Sequence, residues 1–309
     1  MVSPFISFLT TLRRFVRRLI HLFKRPWVLM PIVTALLLWS AIASPAQEVY
    51  QVQITPSRPE LGDTLSIVIQ GASSSEAPTV SVNDTTYPAF LLSGDRYRAL
   101  VPTSPNTPAG RMTLQVTGPD GTNNVAVNVS NRNFPTQYIT LSSSTAGLEG
   151  TDNEFDRLDA LRALRTPQRY WEGPMSRPST GRVSSAYGLR RYYNGVFAED
   201  YYHRGVDYAA GNGSPIYAPA AGRIELVGRV EDGFVLNGNT LGIDHGQGVT
   251  SVMIHLSGFA VNEGDVVEEG QLIGYMGSTG FASGPNLHWG LFVNGIAVDP
   301  VPWRYDGVE

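Results

Sequence analysis

Four of the five histidines in this 309-residue chain lie between residues 203 and 288, and they are the side chains best able to do chemistry. His203 precedes Asp207 by four residues, and an imidazole and a carboxylate at this spacing can reach one metal ion. The pattern alone is a weak signal. Together with His288, from a distant segment, it gives two histidines and one aspartate. Three protein ligands leave a fourth position open, which is typical of a catalytic zinc site.

Two segments with alternating apolar residues predict strands that present polar side chains. In residues 286–293 the two-residue period places Asn286 and His288 on one face, about 7 Å apart. In residues 252–256 the same rule places His255 on one face and, on the other, Val252, Ile254 and Leu256. If the apolar faces share a core, we expect His255, Asn286 and His288 to line one surface. A lone strand histidine, however, is more often a surface residue, and His245 reads as part of a hairpin turn.

Six motifs resemble, in the same order, those of the lysostaphin-type zinc metallopeptidases. They lie at residues 184–191 (SSAYGLRR), 203–207 (HRGVD), 216–222 (IYAPAAG), 243–246 (IDHG), 254–257 (IHLS) and 284–289 (GPNLHW). The resemblance covers about residues 173–304. It implies an antiparallel β-sheet domain with a groove, one Zn²⁺ ion, and peptide cross-bridges or stems of peptidoglycan as substrate. It also implies His203, Asp207 and His288 as zinc ligands and His255 as one of two catalytic histidines.

Asn286 departs from the family pattern, which closes on His-x-His. Asparagine donates and accepts hydrogen bonds but does not exchange a proton near neutral pH. Loss of a general base costs about 10²–10⁴-fold in rate. Two hypotheses follow. The first is a zinc endopeptidase of the cell envelope in which His255 and Asn286 are catalytic, with Asn286 orienting the water. The second is a weak or inactive relative that binds wall peptides or activates another wall hydrolase.

The first 47 residues form a basic leader followed by an apolar run. The leader holds six of the 23 basic residues and none of the 27 acidic ones. The run from Trp27 to Ala43 is at the lower length limit for a membrane-spanning helix. It predicts either a cleaved signal peptide or a hydrophobic helix retained as an inner-membrane anchor. In both cases the rest of the chain is exported to the periplasm or cell envelope.

Three further segments complete a mainly β chain. Residues 48–133 show short alternating runs separated by turns, which predicts an immunoglobulin-like antiparallel sandwich acting as a spacer or binding module. Residues 134–180 form a linker with a helix over residues 152–165, because Thr151 and Glu154 make a capping box and Pro167 ends the run. Residues 181–305 form the lysostaphin-type peptidase domain. Within it, Arg190 and Arg191 either rim a groove for an anionic glycopeptide or lie in a solvated turn.

Composition excludes several other functions. The chain has no cysteine, which rules out disulfides and thiolate zinc sites. After the leader, acidic residues outnumber basic ones, which disfavours binding to nucleic acid. The sequence does not indicate an oligomeric state. Residues 261–274 resemble biotinyl and lipoyl carriers, which attach their cofactor to lysine, but no lysine follows Lys24.

Overall fold

The computed structural model describes residues 50–72, 76–306 and 308. The basic leader and the hydrophobic helix predicted within it lie outside the described residues. Among the helices of the described ranges, none combines the length and the hydrophobicity that crossing a bilayer requires. The mainly β fold expected from the sequence is confirmed.

The first part of the described chain is an antiparallel path of seven strands in the order β1-β2-β5-β4-β3-β6-β7. β4 belongs to both halves of this path, because its first residues pair with β3 and its last residues pair with β5. Whether this unit is immunoglobulin-like stays a prediction. The strands are β1 (Gln51–Thr55), β2 (Thr64–Gln70), β3 (Thr79–Val82), β4 (Thr85–Ser93), β5 (Arg96–Pro102), β6 (Gly110–Gly118) and β7 (Gly121–Val129).

The segment expected to be a linker contains three regular elements: β8 (Thr136–Ile139), α1 (Ser143–Ala146) and α2 (Asp152–Arg162). α2 begins where the capping box predicts it, because the Glu154 amide donates to Thr151 Oγ1 at 3.2 Å. It ends three residues earlier than expected, and the Arg165 guanidinium caps it by donating to the carbonyls of Arg162 and Leu164.

Ten of the remaining strands in the described chain build one sheet, whose main path is β17-β14-β15-β16-β19-β12-β9. β18 pairs with β16 and β13, and β20 pairs with β19. β10 lies between β11 and β8 in a separate three-stranded sheet. The elements are β9 (Arg182–Ser185), β10 (Arg190–Tyr193), β11 (Val196–Phe197), β12 (Val206–Ala209), β13 (Pro215–Tyr217), β14 (Gly222–Gly228), β15 (Asn239–Gly246), β16 (Val249–Phe259), β17 (Val266–Val267), β18 (Leu272–Met276), β19 (Asn286–Val293), β20 (Ile296–Val298) and α3 (Pro300–Trp303).

The seven-stranded unit packs directly against the rest of the described chain. Asn294, after β19, donates from Nδ2 to the Leu100 carbonyl of β5 at 2.7 Å. The indole of Trp303 donates to Thr64 Oγ1 at 3.1 Å, and Arg132 pairs with Asp299 at 2.7 Å. The described residues accordingly form one compact unit.

Candidate metal centre and substrate groove

His203, Asp207 and His288 meet at one point although 81 residues separate Asp207 from His288. Asp207 on β12 and His288 on β19 are register partners in adjacent antiparallel strands, so their side chains share a face. His203 precedes β12 in the chain. Its Nε2 lies 2.9 Å from Asp207 Oδ1 and 3.0 Å from His288 Nδ1, and those two atoms are 2.8 Å apart.

A glycine lets the segment after His203 approach β19 closely. A Cβ atom at Gly205 would lie 2.2 Å from the carbonyl oxygen of Trp289. Any larger residue would therefore push β12 away from β19 and separate Asp207 from His288.

The surroundings of the cluster turn its ligand atoms toward a common centre. His203 Nδ1 lies 2.6 Å from the Ala186 carbonyl, which requires a proton on Nδ1 and leaves the Nε2 lone pair facing the cluster. Arg191 donates from Nη2 to Asp207 Oδ2 at 3.1 Å, so that Oδ1 is the oxygen left for the centre. Arg191 is buried and is also held by Gln137 on β8.

The donor set fits a zinc ion. Three atoms 2.8–3.0 Å apart can all lie about 2.0–2.2 Å from one point, the range of Zn–N and Zn–O bonds. The hydrogen bonds and charges of His203 and His288 hold the pKa of Asp207 well below its usual value, although burial opposes this. Burial lowers the pKa of His203. An ionised carboxylate and a neutral imidazole are the forms that bind metal.

His255 reaches the same groove, but not by regular strand alternation. Its φ is +71°, a left-handed conformation within β16, close to the point where the pairing of β16 with β15 shifts register. The expectation that Ile254 faces away from His288 was wrong, because the two residues are register partners and both line the groove. Val252 lines it as well, whereas Leu256 is fully buried. The His255 imidazole therefore enters the groove through a local backbone distortion.

The His255 ring is fixed by a carbonyl on its far side. Nδ1 lies 2.9 Å from the Thr279 carbonyl, which places its proton there and leaves Nε2 unprotonated. Burial, together with the nearby His288, lowers the pKa of His255 to about 4. The ring is consequently neutral near pH 7.

Asn286 opens β19 at the edge of the metal cluster. Its backbone amide donates to the Gly277 carbonyl at 3.0 Å, and Ala209 is its register partner. Its Oδ1 is buried and has no hydrogen-bond partner among the described residues. His245, by contrast, lies outside the groove and is buried between the Ala221 carbonyl and Ser251.

Asp207, His255, Asn286 and His288 line a groove of about 740 Å³, and His203 is buried behind it. One wall comes from the segment read as a linker, which contributes Gln137, Ile139, Leu141, Phe155, Leu158 and Arg162. Sequence reasoning missed this wall, because strand β8 becomes visible only through its parallel pairing with β10.

An antiparallel sheet that brings two imidazoles and a carboxylate together at a groove defines a site of the metallopeptidase class. The model of peptidase family M23 matches residues 201–300, and this carboxy-terminal region is a peptidase M23 domain. The resemblance inferred from the motifs is thus confirmed.

Named relatives match part of the chain. The chain is 41% identical over 120 residues to the DD-carboxypeptidase/endopeptidase Mpg of Neisseria meningitidis, and the match covers 39% of this chain and 26% of that protein. It is 38% identical over 119 residues to the peptidoglycan DD-endopeptidase ShyC of Vibrio cholerae, and that match covers 38% of this chain and 26% of the relative. The chain thus spans about a quarter of the length of these curated relatives.

One solved structure extends the likeness beyond the peptidase domain. A peptidase M23 crystal structure from Pseudomonas aeruginosa covers 81% of this chain and 96% of its own, with 26% identity and a TM-score of 0.59. The shared fold therefore includes more of the chain than the 201–300 match.

Proposed function

We propose that this protein is a zinc-dependent endopeptidase that hydrolyses peptide cross-links or stems of peptidoglycan in the cell envelope. The observation that carries the proposal is the convergence of His203 Nε2, Asp207 Oδ1 and His288 Nδ1 within 3.0 Å of one another in the groove. Relatives named as peptidoglycan or glycyl-glycine endopeptidases support the substrate class.

His203, Asp207 and His288 would hold the zinc ion. When bound, zinc acts as a Lewis acid and lowers the pKa of a coordinated water to about 7. His255, neutral at pH 7 with Nε2 toward the groove, accepts or returns a proton at the reacting group. The carboxamide of Asn286 orients the water through hydrogen bonds, since it cannot take up a proton.

The leader supports an extracytoplasmic location. A basic segment followed by an apolar run is the pattern of a signal peptide or a membrane anchor, and both deliver the following domain to the periplasmic side. We propose the cell envelope as the place of action, with the inner membrane as a partner where the leader is retained.

A second candidate function depends on Asn286 alone. If the missing histidine abolishes turnover, the same groove binds wall peptides or activates another wall hydrolase without cutting. The three ligand candidates favour the enzyme, because a binding module has little need for a metal site with an open position.

Digestion of purified peptidoglycan separates the two candidates. The full chain, kept in detergent, is incubated with peptidoglycan with and without a chelator, and released peptides are read by mass spectrometry. New peptide termini that disappear with chelator and return with added zinc support the endopeptidase. Retention on the wall without release in all conditions supports the binder, and Asp207→Ala provides the metal-free control.

A further inference from the structure

The groove continues from the metal cluster along β19 to a second polar end. Asn286, His288, Gly290 and Phe292 alternate along one face of this strand, and Phe292 lies four residues beyond His288. At about 3.4 Å per residue this is about 14 Å, the length of four residues of extended peptide. Gly290 lies between them and is closely packed, because a Cβ atom there would lie 3.0 Å from the Phe292 ring and 3.1 Å from the Arg204 carbonyl, so the backbone of Arg204 lies beside this part of β19.

Two arginines line the groove near this end. Arg162, the last residue of α2, lies over the Phe292 ring with its guanidinium carbon 4.7 Å from the ring centre. It donates from Nη1 to Asp159 at 3.2 Å, while its Nε is buried without a partner among the described residues. Arg204 follows His203 directly and is exposed. Within the described ranges, no carboxylate lies in ion-pair distance of Arg204.

The charge of the groove is opposite to that of the body around it. Among the described residues, Asp207 is the only acidic one that lines the groove, and Arg191 pairs with it. Arg162 pairs with Asp159, which does not line the groove, and Arg204 has no carboxylate partner among the described residues. After the leader, acidic residues outnumber basic ones. Burial lowers the pKa of Arg162, Asp159 acts in the opposite direction, and the positive charge of Arg204 lowers it further. Both arginines line the same groove, and the charge of Arg204 acts on Arg162 there.

We propose that Arg162 and Arg204 form a subsite for a free carboxylate of the peptide substrate, about four extended residues from the metal centre. This inference rests on the proposed peptidase function and specifies the substrate as an anionic peptide. A guanidinium binds a carboxylate through two parallel N–H···O bonds, and a partly enclosed groove strengthens such bonds. A carboxylate bound there would add a negative charge to a groove whose lining contains Arg162 and Arg204.

Matched peptides test the subsite without requiring turnover. Soluble peptide fragments of peptidoglycan are used unmodified or with their carboxylates converted to carboxamides. Binding to the full chain is measured by calorimetry in the presence of a chelator. We expect the unmodified peptides to bind about 10-fold to 100-fold more tightly than the amidated ones, as charge-assisted hydrogen bonds would give.

Substitutions then test whether the two arginines cause the preference for unmodified over amidated peptides. Arg162→Gln and Arg204→Gln should each weaken binding of the unmodified peptides by about fivefold or more and leave the amidated peptides unaffected. Arg162→Lys keeps the positive charge and should retain part of the preference for unmodified peptides. If Arg162→Gln does not fold, Arg162→Lys still tests the role of this position. Arg111→Gln, on exposed β6 of the seven-stranded unit, is the charge-matched control and should bind as the unsubstituted protein does.

Equal weakening of both peptide types by the arginine substitutions would overturn the subsite, because it would reveal a general effect on the groove wall. Unchanged binding would overturn it as well. The outcome is separable from the peptidase proposal: a carboxylate preference in a protein that never cuts peptidoglycan leaves the subsite standing, and zinc-dependent cleavage without the preference removes only the subsite.

Discussion

Glu154 Oε1 accepts hydrogen bonds from both the backbone and the side-chain amide of Asn237, at 2.6 and 2.7 Å. Its Oε2 accepts from the Leu236 amide at 3.1 Å, and the side chain is fully buried. The Asn237 carbonyl in turn accepts from the backbone amide of His255 at 3.1 Å. A carboxylate on helix α2 thus supports the left-handed backbone that turns His255 into the groove.

Removal of this carboxylate is expected to disturb His255 while leaving the metal cluster intact. The two carboxylate oxygens of Glu154 together accept from three N–H groups. Glu154→Gln replaces one of these oxygens by an NH2 donor, so at least one buried N–H loses its acceptor. We expect the free energy of unfolding to fall by about 2–3 kcal/mol. A φ of +71° at a histidine needs such support. We therefore expect kcat on peptidoglycan fragments to fall at least tenfold, with zinc content unchanged.

Asp156→Asn is the matched control for Glu154, because Asp156 is exposed on the same helix. Its unfolding and its kcat should match those of the unsubstituted protein. Loss of stability in Glu154→Gln with an unaltered kcat would show that α2 does not position His255.

Metal content should depend on the carboxylate at the centre of the cluster. Asp207→Ala removes one of three ligand atoms and leaves Arg191 without its ion-pair partner. We expect about one zinc per unsubstituted chain and almost none in the variant, measured by elemental analysis after dialysis against limiting zinc. Glu268→Gln, an exposed acid away from the groove, should keep its zinc. Full occupancy in Asp207→Ala would remove Asp207 from the site.

The metal-free protein should lose stability as the pH falls below about 6.5. The pKa of His255 is about 4 in the folded chain, below its ordinary value of 6.5. Between these values the unfolded chain binds a proton that the folded chain does not, so stability present near neutral pH is lost on acidification. For His255 the loss amounts to at most about 3 kcal/mol.

A histidine substitution isolates this contribution from those of other buried histidines. The pKa of His203 and that of His245 are also lowered, mainly by burial, and act with the same sign. Urea unfolding at pH 4, 5, 6 and 7 should therefore give a shallower pH dependence for chelator-treated His255→Gln than for the unsubstituted chain. Parallel curves would mean that His255 titrates normally.

The meeting of His203, Asp207 and His288 could be anticipated from the sequence through the family motifs together with two local rules, and their role as metal ligands stays a prediction. A four-residue spacing brings Asp207 near His203, and two-residue alternation turns His288 away from the buried Trp289. The route of His255 into the groove could not be predicted, since alternation fails where φ is positive.

The long-range contacts of α2 and β10 could not be predicted from the sequence either. Glu154 reads as a capping residue in sequence, yet its oxygens bind residues more than 80 positions away. Arg191, expected at a groove rim or in a solvated turn, does line the groove, but it is buried and donates to Asp207 Oδ2.

We expect Arg98 to stabilise the packing of the seven-stranded unit against the peptidase domain. Its guanidinium is fully buried, lies 5.1 Å from the centre of the Trp171 ring, and donates to Gln247 Oε1 at 2.5 Å and to the Val308 carbonyl at 3.0 Å. Arg98→Ala leaves a cavity and two acceptors unpaired, which should reduce the free energy of unfolding by about 2–4 kcal/mol.

Urea unfolding followed by tryptophan fluorescence measures this effect. Arg96→Ala, on an exposed position of the same strand, should stay within about 0.5 kcal/mol of the unsubstituted chain. If Arg98→Ala were as stable as the unsubstituted chain, Arg98 would not stabilise this packing.

Asn286→His tests whether the family's missing histidine limits the rate. The Asn286 side chain lines the groove beside the metal cluster, and its buried Oδ1 has no partner among the described residues, so an imidazole would break no described hydrogen bond of that atom. A histidine there adds a group that exchanges protons near neutral pH. We expect release of peptides from peptidoglycan to rise by about 10-fold to 100-fold, within the range that general acid–base catalysis contributes. Asn286→Gln, which adds length without a titrating group, is the control and should not gain activity. A rate in Asn286→His equal to or below that of the unsubstituted chain would mean that the groove has adapted to asparagine, or that hydrolysis is not its task.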